Sequence, residues 1–273
     1  MIHLPFLRSV VRRLGLRSLL SPLVTLIEEW RFRQLGRYHV EQTTPGTLVF
    51  TGFGRQVSVS KLPRAQCELG LSSHERATIL AVLSRASSGD CVWDVGANVG
   101  FYTRLLSAVV AEGGRVFAFE PNAATFRELQ EHVAGLDNVT AVCQGLSDED
   151  GVATFAAPAD HSSASRIMSD TAKAEGELAQ IVIGRGDTLM RQGGVQVPRF
   201  AKVDVEGHEL QALRGMAEVL SHPGFRCVLV EVHFSLLEEA GQSGAPGAIQ
   251  KLLHDCGLAR QQWISRSHLL AEK

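Results

Sequence analysis

The chain has 273 residues, with 27 Lys and Arg against 29 Asp and Glu and a formal net charge of −2. This length can bury a full core and suits one large domain with appendages, while the near-neutral balance excludes the strongly basic footprint of a nucleic-acid binder. Cys67, Cys91, Cys143, Cys227 and Cys256 are odd in number, widely spaced and without a C-x-x-C pair, which predicts free, mostly buried thiols in a reducing, cytoplasmic setting.

Residues 1–42 read as a basic, amphipathic helical arm. Leu7, Val10, Val11 and Leu14 follow helical spacing, and arginines recur through Arg37. The apolar run Leu19–Ile27 is broken by Ser21 and Pro22 and falls short of the ~20 residues a membrane span needs. Arginines follow it as well as precede it, and no small-residue cleavage site is present, which argues against a secretory signal. The arm is expected to contact its own domain, a partner subunit or an anionic membrane surface.

Residues 43–273 read as one domain, opened by a hairpin unit over 43–71. Within it, Thr43–Lys61 holds two β-rich runs separated by a stretch with two glycines. Ser72 or Ser73 then caps a helix carrying Ile79, Leu80, Val82 and Leu83 and ending by Gly89. Apolar strands and helices alternate after that: CVWDV, a helix after Gly100, RVFAFE, a helix over Ala123–Ala134, and VTAVCQ. The alternation resumes with FAKVDV, a helix over Glu209–Leu220, CVLVEV, a helix over Pro246–Cys256, and a last strand QQWIS. This order predicts an α/β fold with a doubly wound, mostly parallel, Rossmann-like sheet. Between the halves, 156–180 is rich in Ala, Ser and Asp without periodicity and reads as a long loop, a candidate lid.

The segment VWDVGANVG marks a ligand-binding turn, in which a strand ends in Asp94 and passes through Gly96, Ala97, Asn98 and Gly100 into a helix. Its glycines permit close backbone approach, and the helix N-terminus offers N–H groups to an anion. A dinucleotide fingerprint would place glycines where Asn98 and Phe101 stand, which disfavours a nicotinamide cofactor. An acid at the strand end suits the ammonium group of a methionine moiety, by direct or water-bridged hydrogen bonds, and so favours S-adenosylmethionine.

The next strand ends in Glu120, Pro121 and Asn122, placing a carboxylate where ribose hydroxyls bind. Leu146, Ser147 and Asp148 follow the third strand, where Ser147 or Asp148 can bond an adenine amino group, although the same residues also make an ordinary turn.

In KVDVEGHE, period-two alternation puts Lys202, Asp204 and Glu206 on one side. The following strand alternates Leu229, Glu231 and His233 against valines. Parallel strands are normally apolar on both faces, so these charges belong at carboxyl ends, where ligands bind. For Lys202 and Glu231 a structural ion-pair network is an equal alternative.

Together, DVGANVGFYT, FEPN, GLSDEDG and KVDVEGHE resemble the FkbM family of S-adenosylmethionine-dependent methyltransferases over about residues 73–233. The resemblance implies a class I methyltransferase fold and O-methylation of a small-molecule, natural-product or glycan hydroxyl. By position it gives cofactor contacts to Asp94–Gly100 and Glu120, and places Asp204–Glu206 at the junction with the acceptor site.

A hydroxyl needs a general base as it attacks. His233, expected to titrate near neutrality, or Asp204 is that base, with Glu206 orienting the acceptor. No metal is expected, although Asp204, Glu206 and Glu231 offer oxygen ligands for a Mg²⁺-assisted variant. The rival readings are a nicotinamide-dependent oxidoreductase and a non-catalytic cofactor-binding scaffold docked to membrane.

Overall fold

The computed structural model describes residues 38–157, 166–167 and 177–273. Residues 1–37 of the expected arm and most of the candidate lid lie outside the described residues.

The chain opens with a three-stranded antiparallel sheet of β1 (His39–Thr44), β2 (Thr47–Gly52) and β3 (Arg55–Val59). The expected hairpin is β2–β3, which turns through Phe53 and Gly54 at φ 53° and 72°. The β1 strand is an addition, cut from a polar stretch with no alternation to announce it, and it begins inside the expected arm. Two helices follow, α1 (Arg64–Leu71) and α2 (Arg76–Arg85). Ser72 does not cap α2 itself; its hydroxyl accepts the His74 N–H in the turn before it. Leu48, Phe50, Val57 and Val59 form one face of a core shared with Ile79, Val82 and Leu83 of α2. The Arg55 guanidinium ties β3 to α2 through the Leu83 and Ala86 carbonyls.

The main domain then alternates β4 (Cys91–Val95), α3 (Phe101–Val110), β5 (Arg115–Phe119), α4 (Ala123–Val133) and β6 (Val139–Val142). Next come β7 (Gly145–Leu146), β8 (Gly151–Ala157), β9 (Arg166–Ile167), β10 (Glu177–Gly184) and α5 (Gly186–Arg191). The second half is β11 (Phe200–Val203), α6 (Glu209–Arg214), α7 (Ala217–Ser221), β12 (Cys227–Glu231), α8 (Phe234–Glu239), α9 (Ala245–Asp255), β13 (Arg260–Trp263) and β14 (His268–Glu272).

Seven strands form one sheet in the order β13-β14-β12-β11-β4-β5-β6, parallel from β12 to β6. The β14 strand runs antiparallel to both its neighbours. Val92, Trp93, Asp94 and Val95 are all buried, as a central parallel strand covered on both faces requires. From β4 the chain winds outward to β6, then returns to β4's other side at β11. The carboxyl ends of β4 and β11 therefore flank the topological switch point, where an open α/β sheet binds ligands.

Three differences from the sequence reading have local causes. The expected helix over Glu209–Leu220 breaks at Gly215, where an added Cβ would lie 1.8 Å from the Ser147 carbonyl oxygen. GLSDEDG follows the third strand, β6, as expected, but does not extend it. Its Gly145–Leu146 pairs with β10 in a separate four-stranded sheet, β7-β10-β8-β9. The β14 strand was not anticipated, being a short buried run after a polar turn. Of the cysteines, Cys67, Cys227 and Cys256 are buried, while Cys143 lies beyond β6 and is exposed, and none is disulfide-bonded. Among the described residues, no helix is long and apolar enough to cross a membrane.

Gly96 closes the seam between the two central strands. Its φ is +79°, and a Cβ there would sit 1.8 Å from the Asp204 carbonyl oxygen. Gly96→Ala is expected to destabilise the protein by about 2–4 kcal/mol, through left-handed strain plus the clash, as read by urea unfolding. An unchanged midpoint would contradict this packing.

Candidate active site

At the floor of the crevice, Asp94 is fully buried. Thr103, one turn into α3, donates to its Oδ2 at 2.6 Å, and Lys202 Nζ lies 4.0 Å from Oδ1. Lys202 is itself buried, donates to Asp204 Oδ2 at 2.9 Å, and rests 4.7 Å from the Tyr102 ring centroid. Tyr102 in turn donates to Glu75. Burial pushes the Asp94 carboxyl up, and Lys202 and Thr103 partly offset this. For Lys202, burial opposes the charge, but Asp204 and Asp94 outweigh it and hold its pKa above the ordinary value. Removing one partner from such a buried set typically costs roughly 3–5 kcal/mol. Asp94 has no exposed surface in this structure, and its Oδ1 has no hydrogen-bond partner among the described residues.

The turn is also more self-contained than its glycines imply. The N–H groups of Gly96 and Ala97 both go to the Phe119 carbonyl, and that of Gly100 goes to Ala97. Asn98, left-handed at φ 48°, donates its N–H to Glu120 Oε2 at 3.0 Å, and its own side chain accepts the Val99 N–H. Every N–H from 96 to 100 is thus spoken for. The donors left for an anion are those of the first turn of α3, beginning at Phe101.

Glu120 accepts a second bond from Asn122 N–H at 2.9 Å, and burial lifts its pKa to about 7 against those bonds. Asn122 serves as the N-cap of α4, accepting from Ala124 and Thr125, and Pro121 packs under Gly145. Leu146 and Ser147 are buried. The Ser147 hydroxyl lies 3.0 Å from His208 Nε2, which leaves Asp148 as the more accessible of the three.

The strand alternation ends at Val203, and Glu206 takes its direction from a left-handed turn at φ 50°, backed by Gly207 at φ 92°. A non-glycine residue there is uncommon and is held only by its surroundings. This brings Asp204, Glu206 and His233 together. His233 Nε2 lies 3.2 Å from Glu206 Oε2 and 3.7 Å from Asp204 Oδ1, while its Nδ1 lies 2.7 Å from Glu209 Oε1.

Burial alone would lower the His233 pKa, but the Glu209 hydrogen bond and the charges of Asp204, Glu206 and Glu209 raise it to about 9. The expectation that His233 titrates near neutrality is therefore corrected: it is an imidazolium at pH 7. Glu206 is the group near neutrality, lifted by burial to about 7 against the pull of His233. Asp204, Glu206 and His233 also hold their ligand atoms within 4.8 Å of one another, a set that could take a metal ion. Glu231, the third ligand considered from the sequence, is engaged elsewhere. His268 Nε2 lies 3.2 Å from it, and Ser267 donates to it at 3.2 Å.

Glu209, Thr103, Tyr102 and Glu75 were missed from the sequence. Glu209 follows His208 in what reads as the first turn of a helix, and only the fold turns it inward toward His233.

The strand order and the polar crevice at its switch point define the class I methyltransferase fold. The Methyltransferase FkbM domain model matches residues 94–258. The hexuronic acid methyltransferase AglP of Haloferax volcanii is 34% identical over 188 residues, covering 68% of this chain and 71% of that protein. The chain belongs to the FkbM methyltransferase family. Among solved structures, methyltransferase FkbM from Methylobacillus flagellatus KT aligns at 18% identity and a TM-score of 0.46, over 67% of this chain and 43% of that one, so this chain spans less than half of its length. Aeropyrum pernix fibrillarin with bound S-adenosyl-L-methionine aligns at 14% identity and a TM-score of 0.43, over 86% and 98%.

Both upward shifts mean that the folded state holds protons more tightly than the unfolded chain. Stability therefore falls as pH rises, from about 4.5 to 7 at Glu206 and from about 6.5 to 9 at His233. The melting temperature is expected to decline between pH 7 and 9, and His233→Gln should flatten that decline. An equally steep decline in the variant would place the titrating group elsewhere.

Proposed function

We propose that this protein transfers a methyl group from S-adenosylmethionine to a hydroxyl of a sugar, with a hexuronic acid, the substrate named for the Haloferax relative, as the leading acceptor. The cofactor, when bound, supplies an electrophilic methyl group on a sulfonium. The residues present suit it. Each Glu120 oxygen accepts one backbone N–H and keeps capacity for a ribose hydroxyl, and the first turn of α3 offers N–H groups to the carboxylate. Asp94 and Lys202 hold the strand ends that shape the crevice, Gly96, Ala97, Asn98 and Gly100 form its turn, and Asp148 borders the adenine side with Leu146 and Ser147 behind it.

The observation that carries the reading is the pair of carboxylates gathered on His233 at the carboxyl ends of β11 and β12. We assign the general base to Glu206. It is ionised above about pH 7, partly buried, and 3.2 Å from an imidazolium that stabilises its charge. It takes the proton of the acceptor hydroxyl as that oxygen attacks. His233, steadied by Glu209, and Asp204, steadied by Lys202, orient the base and the acceptor.

Glu206→Gln is expected to lower kcat by roughly 10²–10⁴-fold while leaving S-adenosylhomocysteine affinity within about twofold. In the wild type, kcat/KM should rise through about pH 7, as Glu206 ionises, and fall above about pH 9, as His233 loses its proton. A single rise centred near pH 9 would instead make His233 the base. Loss of activity in EDTA with recovery in Mg²⁺ would replace proton transfer to Glu206 by metal activation.

A further inference from the structure

The crevice has an outer wall that the proposed chemistry leaves unused. Because β14 runs antiparallel to both β12 and β13, the carboxyl end of β13 returns to the same sheet edge as that of β12. Trp263, the last residue of β13, thus stands on the edge that carries Glu231 and His233. Phe234 directly follows His233 and opens α8, and its ring lies 5.5 Å from the Trp263 ring at an interplanar angle of 40°. Phe234 is 38% exposed, among the few large apolar side chains left open to solvent, and Trp263 is half-buried. The Trp263 indole N–H has no hydrogen-bond partner among the described residues. Two tilted aromatic rings, one open, thus stand at the end of the sheet where Glu206 and His233 gather.

We infer that Phe234 and Trp263 form the acceptor platform, receiving the C–H face of a pyranose ring while the sugar's hydroxyl edge turns toward Glu206 and His233. This rests on the reading of a sugar hydroxyl as acceptor, and names the subsite that binds it. A pyranose has one face of C–H groups bearing partial positive charge, matched to the electron-rich face of an aromatic ring. Its hydroxyl rim requires polar partners. The indole N–H adds a donor, while Glu231 with His268 lies at the same end of the sheet on its opposite face. A wholly polar small acceptor would gain nothing from the two rings. Phe234 follows His233 in the chain, so a sugar stacked there lies at the end of the sheet that carries the proton-transfer cluster.

The test uses the full chain with methyl glycosides of glucuronic acid, galacturonic acid and glucose as acceptors. It measures initial rates together with calorimetric binding of S-adenosylhomocysteine and of each glycoside. Phe234→Ala and Trp263→Ala are each expected to raise the acceptor KM or Kd at least about tenfold, with kcat within about threefold and S-adenosylhomocysteine affinity within about twofold. Trp263→Phe, which keeps a ring face, should recover much of the loss, whereas Phe234→Leu, which keeps apolar bulk alone, should not. Full S-adenosylhomocysteine binding certifies the fold of each variant. Unchanged acceptor KM in both alanine variants of an enzyme that methylates these glycosides would overturn the platform and leave sugar methylation standing. A wild type that binds S-adenosylhomocysteine but neither binds nor methylates any of the glycosides would overturn both.

Discussion

The structure depends on how closely the ends of β4 and β11 approach each other. Gly96 admits the Asp204 carbonyl to a distance no side chain would allow, and Lys202 lies buried between the carboxylates of Asp94 and Asp204. One contact sets the backbone seam and the other sets its charge. Two carboxylates at the end of a parallel sheet repel each other, and a buried ammonium lets both sit there. Everything with chemical potential in the crevice is hung from that seam: the glycine turn and Glu120 on one side, and Asp204, Glu206 and His233 on the other.

The cluster on the acceptor side is a set of mutually adjusted charges rather than a single tuned residue. Glu209, fully buried, fixes the His233 ring through Nδ1 and leaves Nε2 facing Asp204 and Glu206. The imidazole is thereby held cationic, and burial then lifts Glu206 into the range where a carboxylate both ionises and accepts a proton near neutral pH. The left-handed backbone at Glu206 is the local cost of aiming that carboxylate inward.

Much of this was legible in the amino-acid order. Buried parallel strands such as CVWDV and CVLVEV announce themselves by apolar runs, and DVGANVG and KVDVEGHE mark their carboxyl ends. What could not be read was anything set by contacts between distant segments. Asp94 reads as a ligand contact in sequence, and only the fold shows Thr103 and Lys202 gathered on it. Gly96, read for ligand approach, also admits the Asp204 carbonyl, a contact no local pattern announces. His233 looks like a neutral-pH base until three carboxylates are seen around it. The β1 strand lacks alternation and β14 follows a polar turn, so neither carries a local signal, and the aromatic pair Phe234–Trp263 exists only because β14 reverses direction between β12 and β13.

The central claim is that this switch-point crevice is shaped for an amino-acid-bearing nucleoside and not for a dinucleotide. Differential scanning fluorimetry with S-adenosylhomocysteine and with NAD addresses it most directly, since a ligand that binds only the folded state raises the melting temperature. The account predicts a concentration-dependent rise with S-adenosylhomocysteine that is greatly reduced in Glu120→Ala, and none with NAD. A rise with NAD and none with S-adenosylhomocysteine would contradict it.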